Sequence, residues 1–447
     1  MNTCRHWLLL CLAVGPVFAA LGGETNFAKA EIAPKVAAAR AILDPWVAAH
    51  PETAQRKVHL VLWTPRDRNP DPRYRERLSA IFKDIQSFYA REMTRLGFGP
   101  RTIGLDEAED GLLRVHFVQG LKDYQEYSVS SGTEIRNECI PVLKAAGLKA
   151  EEETIVIFCN MSKWDPEKRM ISQNSPYYAS GTNRKGTAWQ VDSPILDLAL
   201  LEEKGQNVQD GQYGNISLGR YNSIFIGGAC HELGHALGLP HNRERADEAA
   251  AFGTALMGSG NRTYGEQLRG EGKGSFLTLA HGMRLAAHPM FSGSVKGMGL
   301  RASAKPSEIA IQTKEKGFQF SGKVVGEPPV YAVIGYMDPE GGSDYDATTV
   351  TAVPDKDGHF TLDCQALVPG KAGELRVVYL QANGVASGFL SATPYRYPYK
   401  VGADGVVDIS AAIAALKPKG ADEMDKTNAV PAAVVNDGAK ASATPKG

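Results

Sequence analysis

The stretch HELGHALGLPH, residues 231–241, constrains this chain more than any other feature. His231 and His235 are four residues apart. On an α-helix that spacing puts both imidazoles on one face, where they can converge on one ion. Glu232 stands one residue round from His231. It borders the same point but is poorly aimed to be a ligand, which suits a base acting on a metal-bound water. Gly238 can take a left-handed backbone and stop the helix. Leu239-Pro240 then turns His241 back as a third ligand. Three neutral nitrogen ligands leave the fourth tetrahedral position open, the arrangement of a catalytic rather than a structural zinc. The pattern H-E-x-x-H-x-x-G-x-x-H fixes five residues, and a chance match in a chain of this length has odds below about one in ten thousand. The plain alternative, an amphipathic helix that happens to carry histidines, does not account for the full spacing.

The remainder of the chain supplies a setting for that motif. Lysine and arginine total 49 against 50 acidic residues, so no electrostatic footprint points to nucleic acid. MNTCRHWLLLCLAVGPVFAALGG has Arg5 ahead of an apolar run, a Gly-Pro break, and Val17-Phe18-Ala19 as a small-residue cleavage site. That is the layout of a secretory signal peptide over 1–19. A membrane span needs ~20 apolar residues, and this run stops short of that. The mature protein is therefore expected in an extracellular or periplasmic compartment, with Cys139, Cys159, Cys230 and Cys364 open to disulfide pairing or to burial as free thiols.

Residues 20–55 are alanine-rich and read as an N-terminal segment, either a short pro-segment or a strap. From 56 to 300 strands and helices alternate: RKVHLVLWTP, a helix over 74–96 stopped by Gly97, GLLRVHFVQG, a helix over 133–146 and EETIVIFCN. Alternation implies a twisted, mostly parallel sheet with an active-site helix. Residues 175–193 read as a loop with one short strand at 187–191, and 210–222 as a polar, glycine-rich loop. Helical periodicity returns over 276–287. From 305 to 415 short β-type runs broken by Gly, Pro and Asp predict a small antiparallel β-sandwich. Residues 416–447 are polar and alanine-rich and read as a disordered tail. The expected class is α+β, one catalytic domain followed by an antiparallel β module.

HELGHALGLPH resembles the long zinc-binding motif of the metzincin clan of metalloendopeptidases. Those proteins also carry a methionine turn beneath the metal, and TALMGSG supplies Met257 sixteen residues after His241. The resemblance covers roughly residues 56–292, but only the motif and Met257 are specific. It implies one catalytic zinc held by His231, His235 and His241, Glu232 as general base on the zinc-activated water, and Met257 as a structural floor. It also implies hydrolysis of peptide bonds in a protein or peptide substrate, which would lie along an edge strand in β-augmentation mode; 187–191 is the candidate edge. Some metzincins place a tyrosine two residues after the methionine, where Ser259 stands here, and Tyr264 lies seven residues on and carries no assigned role. Asn242, after the third histidine, assigns no subfamily. No cysteine lies between residues 12 and 138 to serve as a propeptide latch. Asp44 in ILDPW could serve as a carboxylate latch instead, but Asp before Pro45 reads first as a helix end.

Two other function classes share the motif. One is a catalytically silent binding or adhesion protein on a protease scaffold, which the retained Glu232 disfavours. The other is a zinc hydrolase of a non-peptide amide, which nothing in the residues separates from a peptidase. The C-terminal module either contacts substrate or a surface glycan, or is a structural companion. No aromatic cluster stands out, which favours the companion.

Overall fold

A computed structural model of the chain describes residues 28–342, 344–388 and 395–416. The leader at 1–19 and the tail beyond 416 lie outside the described residues. The first long element is helix α1 (Ala33–Ala48), which runs through Pro45 rather than ending at Asp44. Asp44 instead pairs with Arg40 and Arg101. Next come β1 (Val58–Thr64), α2 (Tyr74–Leu96), β2 (Val115–Gln119), α3 (Gly132–Ala145) and β3 (Thr154–Cys159). Two short strands follow, β4 (Ser162–Asp165) and β5 (Met170–Gln173), then the hairpin of β6 (Tyr178–Gly181) and β7 (Gly186–Val191).

The main sheet has the order β2-β1-β3-β7-β6, parallel except for β6, which runs antiparallel along one edge. The reason β1 reads VHLVLWT without alternation is that both faces are covered. Leu60 and Leu62 face a core shared with Leu78, Ile81, Phe82 and Ile85 of α2. Val61 and Trp63 face a second core with Ile135, Cys139 and Leu143 of α3. Gly97, with φ 94°, ends α2 where the periodicity stops. The candidate edge at 187–191 is corrected: β7 pairs β3 on one side and β6 on the other, so the edge strand on this side of the sheet is β6. The reading of 175–193 as loop missed β6 because Tyr178–Gly181 is short and half-exposed and carries little apolar signal.

Residues 210–222 are not a loop. β8 (Asn207–Asp210) and β9 (Gly214–Ser217) form a hairpin, and helix α4 (Leu218–Ala236) starts directly after it. The Ser217 hydroxyl accepts from the Arg220 backbone N–H at 3.1 Å, an N-cap that the glycine-rich surroundings concealed. After α4 come α5 (Ala246–Phe252), the two-residue pair β10 (Thr254–Ala255) and β11 (Ser275–Phe276), and α6 (Leu279–Ala286). Thr278 caps α6, so Phe276 belongs to a strand and not to the helix.

The C-terminal part has two antiparallel sheets. One holds β12 (Lys305–Lys314), β13 (Gly317–Val325) and β16 (His359–Cys364). The other holds β14 (Val330–Pro339), β15 (Thr348–Ala352), β17 (Ala372–Gln381), β18 (Ala386–Gly388), β19 (Arg396–Val401) and β20 (Val407–Asp408). Phe318, Phe320 and Leu362 of the first share an apolar cluster with Val333, Met337 and Tyr379 of the second. β14 is buried along its whole length because its other residues, Tyr331, Ile334 and Tyr336, join the core of the N-terminal part beside Met283 and Ala287. A fully buried side chain of this kind contributes roughly 1.5–3 kcal/mol, so several together fix how the two parts dock. All four described cysteines are buried free thiols, which closes the disulfide alternative for them. Among the described residues no helix is long and apolar enough to cross a membrane.

Candidate metal centre

Helix α4 carries the first two histidines near its C-terminal end. Gly238, with φ 83°, stops it: the Gly238 N–H bonds the His235 carbonyl and the Leu239 N–H bonds the Gly234 carbonyl, both at 2.9 Å. The chain then reverses and brings His241 beside His235. The next residue, Asn242, is fully buried; its N–H bonds the Met257 carbonyl at 3.2 Å and its side chain bonds Thr278 at 2.9 Å.

The three rings meet at one point. His231 Nε2 and His235 Nε2 are 3.1 Å apart, and His235 Nε2 and His241 Nε2 are 3.0 Å apart. The outer nitrogens decide what this means. His231 Nδ1 lies 2.7 Å from the Leu256 carbonyl and His235 Nδ1 lies 2.8 Å from the Leu239 carbonyl. A carbonyl oxygen only accepts, so both Nδ1 atoms carry the proton and both Nε2 atoms present a lone pair. Acceptor lone pairs facing one another at this range repel unless a cation lies between them. A tetrahedral ion with bonds of about 2.0–2.1 Å spaces its nitrogens about 3.3 Å apart, close to what is observed. The residues present therefore fit a metal ion, and these three histidines form a buried to half-buried group able to hold one.

Electrostatics agrees with that reading. Burial, aided by the neighbouring imidazoles, holds His231 well below the ordinary histidine value and His235 down to about 4, so both rings are neutral as ligands must be. Burial alone pushes Glu232 up to about 8. Met257 is fully buried beneath α4, against Gly234. A Cβ at position 234 would lie well inside the van der Waals contact distance of Met257 Sδ, so a glycine lets the methionine approach the helix between His231 and His235.

The other described histidines stay outside the group. His281 and His288 are buried, and His288 Nδ1 accepts from the Met290 N–H at 3.2 Å as a helix cap. His59 faces Glu153 at 3.5 Å in the sheet. Tyr264 lies on the far side of α4, where its hydroxyl donates to Asp84 at 2.6 Å and its ring packs on Phe88.

Two residues at the centre were not anticipated. Asp344 Oδ1 sits 2.9 Å from His241 Nδ1, and the Tyr345 ring stacks on the His241 imidazole at 3.6 Å between centroids. Burial, with the charges of Glu232 and Asp344, pushes the Tyr345 phenol up to about 12 and keeps it neutral. Both come from the connection between β14 and β15, 103 residues beyond His241 for Asp344. No local pattern links them to the motif. A groove of ≈ 720 Å³ between α1 and β15–β16 is lined by none of these residues, so cavity size does not locate this centre.

No family model and no curated protein sequence matches the chain. Solved structures do. Wild-type OgpA from Akkermansia muciniphila aligns with a TM-score of 0.64 at 25% identity, covering 79% of this chain and 96% of that one. A second crystal form of the same protein gives 0.63 at 25% identity, with 79% and 94% covered. Catalytically inactive OgpA in complex with an O-glycopeptide (glycodrosocin) substrate gives 0.64 at 24% identity, with 79% and 95% covered. The chain thus shares its mixed α+β fold, over nearly the whole of OgpA, with a protein that has an O-glycopeptide as substrate.

Proposed function

We propose that this protein is a zinc-dependent peptidase acting on O-glycopeptides. The observation that carries the metal reading is the convergence of the His231, His235 and His241 Nε2 atoms at 3.0–3.1 Å while the Nδ1 protons of His231 and His235 point away. An all-imidazole ligand set suits zinc among the available cations. When bound, such an ion supplies Lewis acidity, lowering the pKa of a water and polarising a carbonyl.

The chain's own residues do the rest. Glu232, desolvated and with its affinity for protons raised, takes a proton from the attacking water on its carboxylate and hands it to the leaving nitrogen. Met257 braces α4 from below, between the turns that carry His231 and His235. The open edge of β6 offers backbone N–H and C=O groups to an extended peptide, and its end packs against α4, since Gly181 lies on the Ala236 carbonyl. The peptide part of the proposal, and the O-glycan on it, draw support from the likeness to OgpA and its glycopeptide complex. The leader over 1–19 would place the enzyme outside the cytoplasm.

The test uses the purified full chain, an O-glycopeptide and the same peptide without glycan. Cleavage of the glycopeptide that disappears with chelator, returns with zinc and is absent in Glu232→Ala supports the proposal. Cleavage by Glu232→Ala at the parent rate, or a zinc-loaded protein that cuts neither peptide, overturns it.

A further inference from the structure

The second domain reaches into the metal centre. Each of the three imidazoles has its outer nitrogen engaged, but not alike. His231 and His235 use backbone carbonyls of the catalytic part, Leu256 and Leu239. His241 alone meets a carboxylate, Asp344 Oδ1 at 2.9 Å, and alone is served by the C-terminal part. We propose that Asp344 is a positioning residue for the third metal ligand, so that the metal centre is complete only when the β14–β15 connection is docked. This rests on the metal reading above.

Three observations separate this contact from a chance surface pair. First, Asp344 holds φ 62°, a left-handed conformation uncommon outside glycine, asparagine and aspartate, which sets the direction of this turn. Second, the neighbouring Tyr345 stacks on the same imidazole with 26° between the planes, so one short segment fixes the ring both in its plane and across its face. Third, the segment is anchored where it matters. The Arg243 N–H, two residues after His241, bonds the Ala347 carbonyl at 2.7 Å, and Tyr331 of β14 bonds the Met283 carbonyl of α6. The connection is therefore carried on a sheet that shares a core with the catalytic part.

The chemistry follows. A carboxylate accepting from Nδ1–H leaves the lone pair on Nε2, where the metal lies, and makes the ring a stronger donor than a carbonyl partner would. Loss of such a partner typically weakens metal binding about 10–100-fold. Linkage makes the effect reciprocal: an ion bound at the three histidines stabilises the docked position of the β14–β15 connection.

The experiment compares the full-length wild type with Asp344→Asn and Asp344→Ala. Zinc dissociation constants are measured by competition with a chromophoric chelator, and the Tm of each metal-free protein is recorded. Asp344→Ala is expected near the upper end of the range of about 10–100-fold and Asp344→Asn, which keeps an acceptor oxygen, near the lower end. The metal-free Tm values should coincide. If wild type binds zinc and both variants bind it within about twofold as tightly, the role of Asp344 is refuted while the metal reading stands. A lower metal-free Tm with unchanged affinity likewise refutes it, since that is the signature of a merely structural contact. A wild type that takes up no zinc refutes the metal reading itself. Should Asp344→Ala not fold, the near-isosteric Asp344→Asn alone decides.

Discussion

Gly234 and Met257 give the sharpest packing prediction, because the effect of one substitution should change sign with the other. In a helix interior Gly→Ala ordinarily gains about 1 kcal/mol. Here the added methyl meets the middle of a fully buried methionine, at Sδ, so the side chain cannot swing clear into solvent. Overpacking of this kind costs about 1–3 kcal/mol, which cancels or exceeds the propensity gain. Gly234→Ala alone should therefore be neutral to destabilising by up to about 2 kcal/mol. Met257→Ala alone should cost about 3–5 kcal/mol, the upper part of the large-to-small range, since the facing helix position has no side chain to fill the void. In the double variant the new methyl enters that void. Gly234→Ala should then stabilise by about 1 kcal/mol or more, giving a coupling of about 1–3 kcal/mol. Urea unfolding of all four proteins, held metal-free with chelator, measures the cycle. If Gly234→Ala has the same sign and a size within about 0.5 kcal/mol in both backgrounds, the packing argument is wrong.

Further predictions concern the buried charges around the same scaffold. Arg77 and Asp192 are both buried and tie α2 to the turn after β7, with N–O distances of 3.2 Å. Asp192→Ala should cost about 3 kcal/mol by urea unfolding, the lower end for breaking a buried pair, because Arg77 loses its nearest carboxylate and keeps only Asp71, at 3.7 Å. In the metal-free protein Glu232, raised from 4.5 to about 8, keeps its proton in the folded state where the unfolded chain has lost it. The folded state thus binds more protons between these values, so this residue lowers stability as pH rises from 4.5 to about 8. Glu232→Gln should be nearly neutral below pH 4.5 and stabilise metal-free protein by on the order of 3–5 kcal/mol above pH 8, read from Tm or urea midpoints across pH. Tyr264→Phe should lose about 1 kcal/mol of stability with its bond to Asp84 yet leave kcat unchanged, since its hydroxyl points away from the histidines. A fall in kcat beyond tenfold in a folded Tyr264→Phe would put it in the reaction.

Much of the scaffold was readable because local patterns and tertiary placement agree. The repeats of Leu78, Ile81, Phe82, Ile85 and Phe88 with Gly97 behind them fix α2 almost to its end residues. The continuous apolar run in β1 announces a strand covered on both faces. The convergence of the three histidines was legible for a related reason: His231, His235 and the Gly238 turn to His241 are one local unit. Readings failed where a polar or glycine-rich surface hid regular structure. β8–β9 and the first turns of α4 are such a case, held by the Ser217 cap and the buried ring of Tyr221 rather than by a visible apolar stripe. β6 is another, short and half-exposed. The contact between the C-terminal part and His241 was hidden for a different reason. Asp344 and Tyr345 sit in a polar turn whose meaning depends on docking against a residue 103 positions earlier for Asp344, and no periodicity encodes that.

The measurement closest to the central claim is X-ray absorption at the zinc edge on the purified full chain, loaded with one equivalent of zinc. The expected first shell is three imidazole nitrogens with one oxygen donor, at about 2.0–2.1 Å. A protein that takes up no stoichiometric zinc, or a shell with fewer than three imidazoles or with sulfur from any of the buried cysteines, contradicts a centre built by His231, His235 and His241.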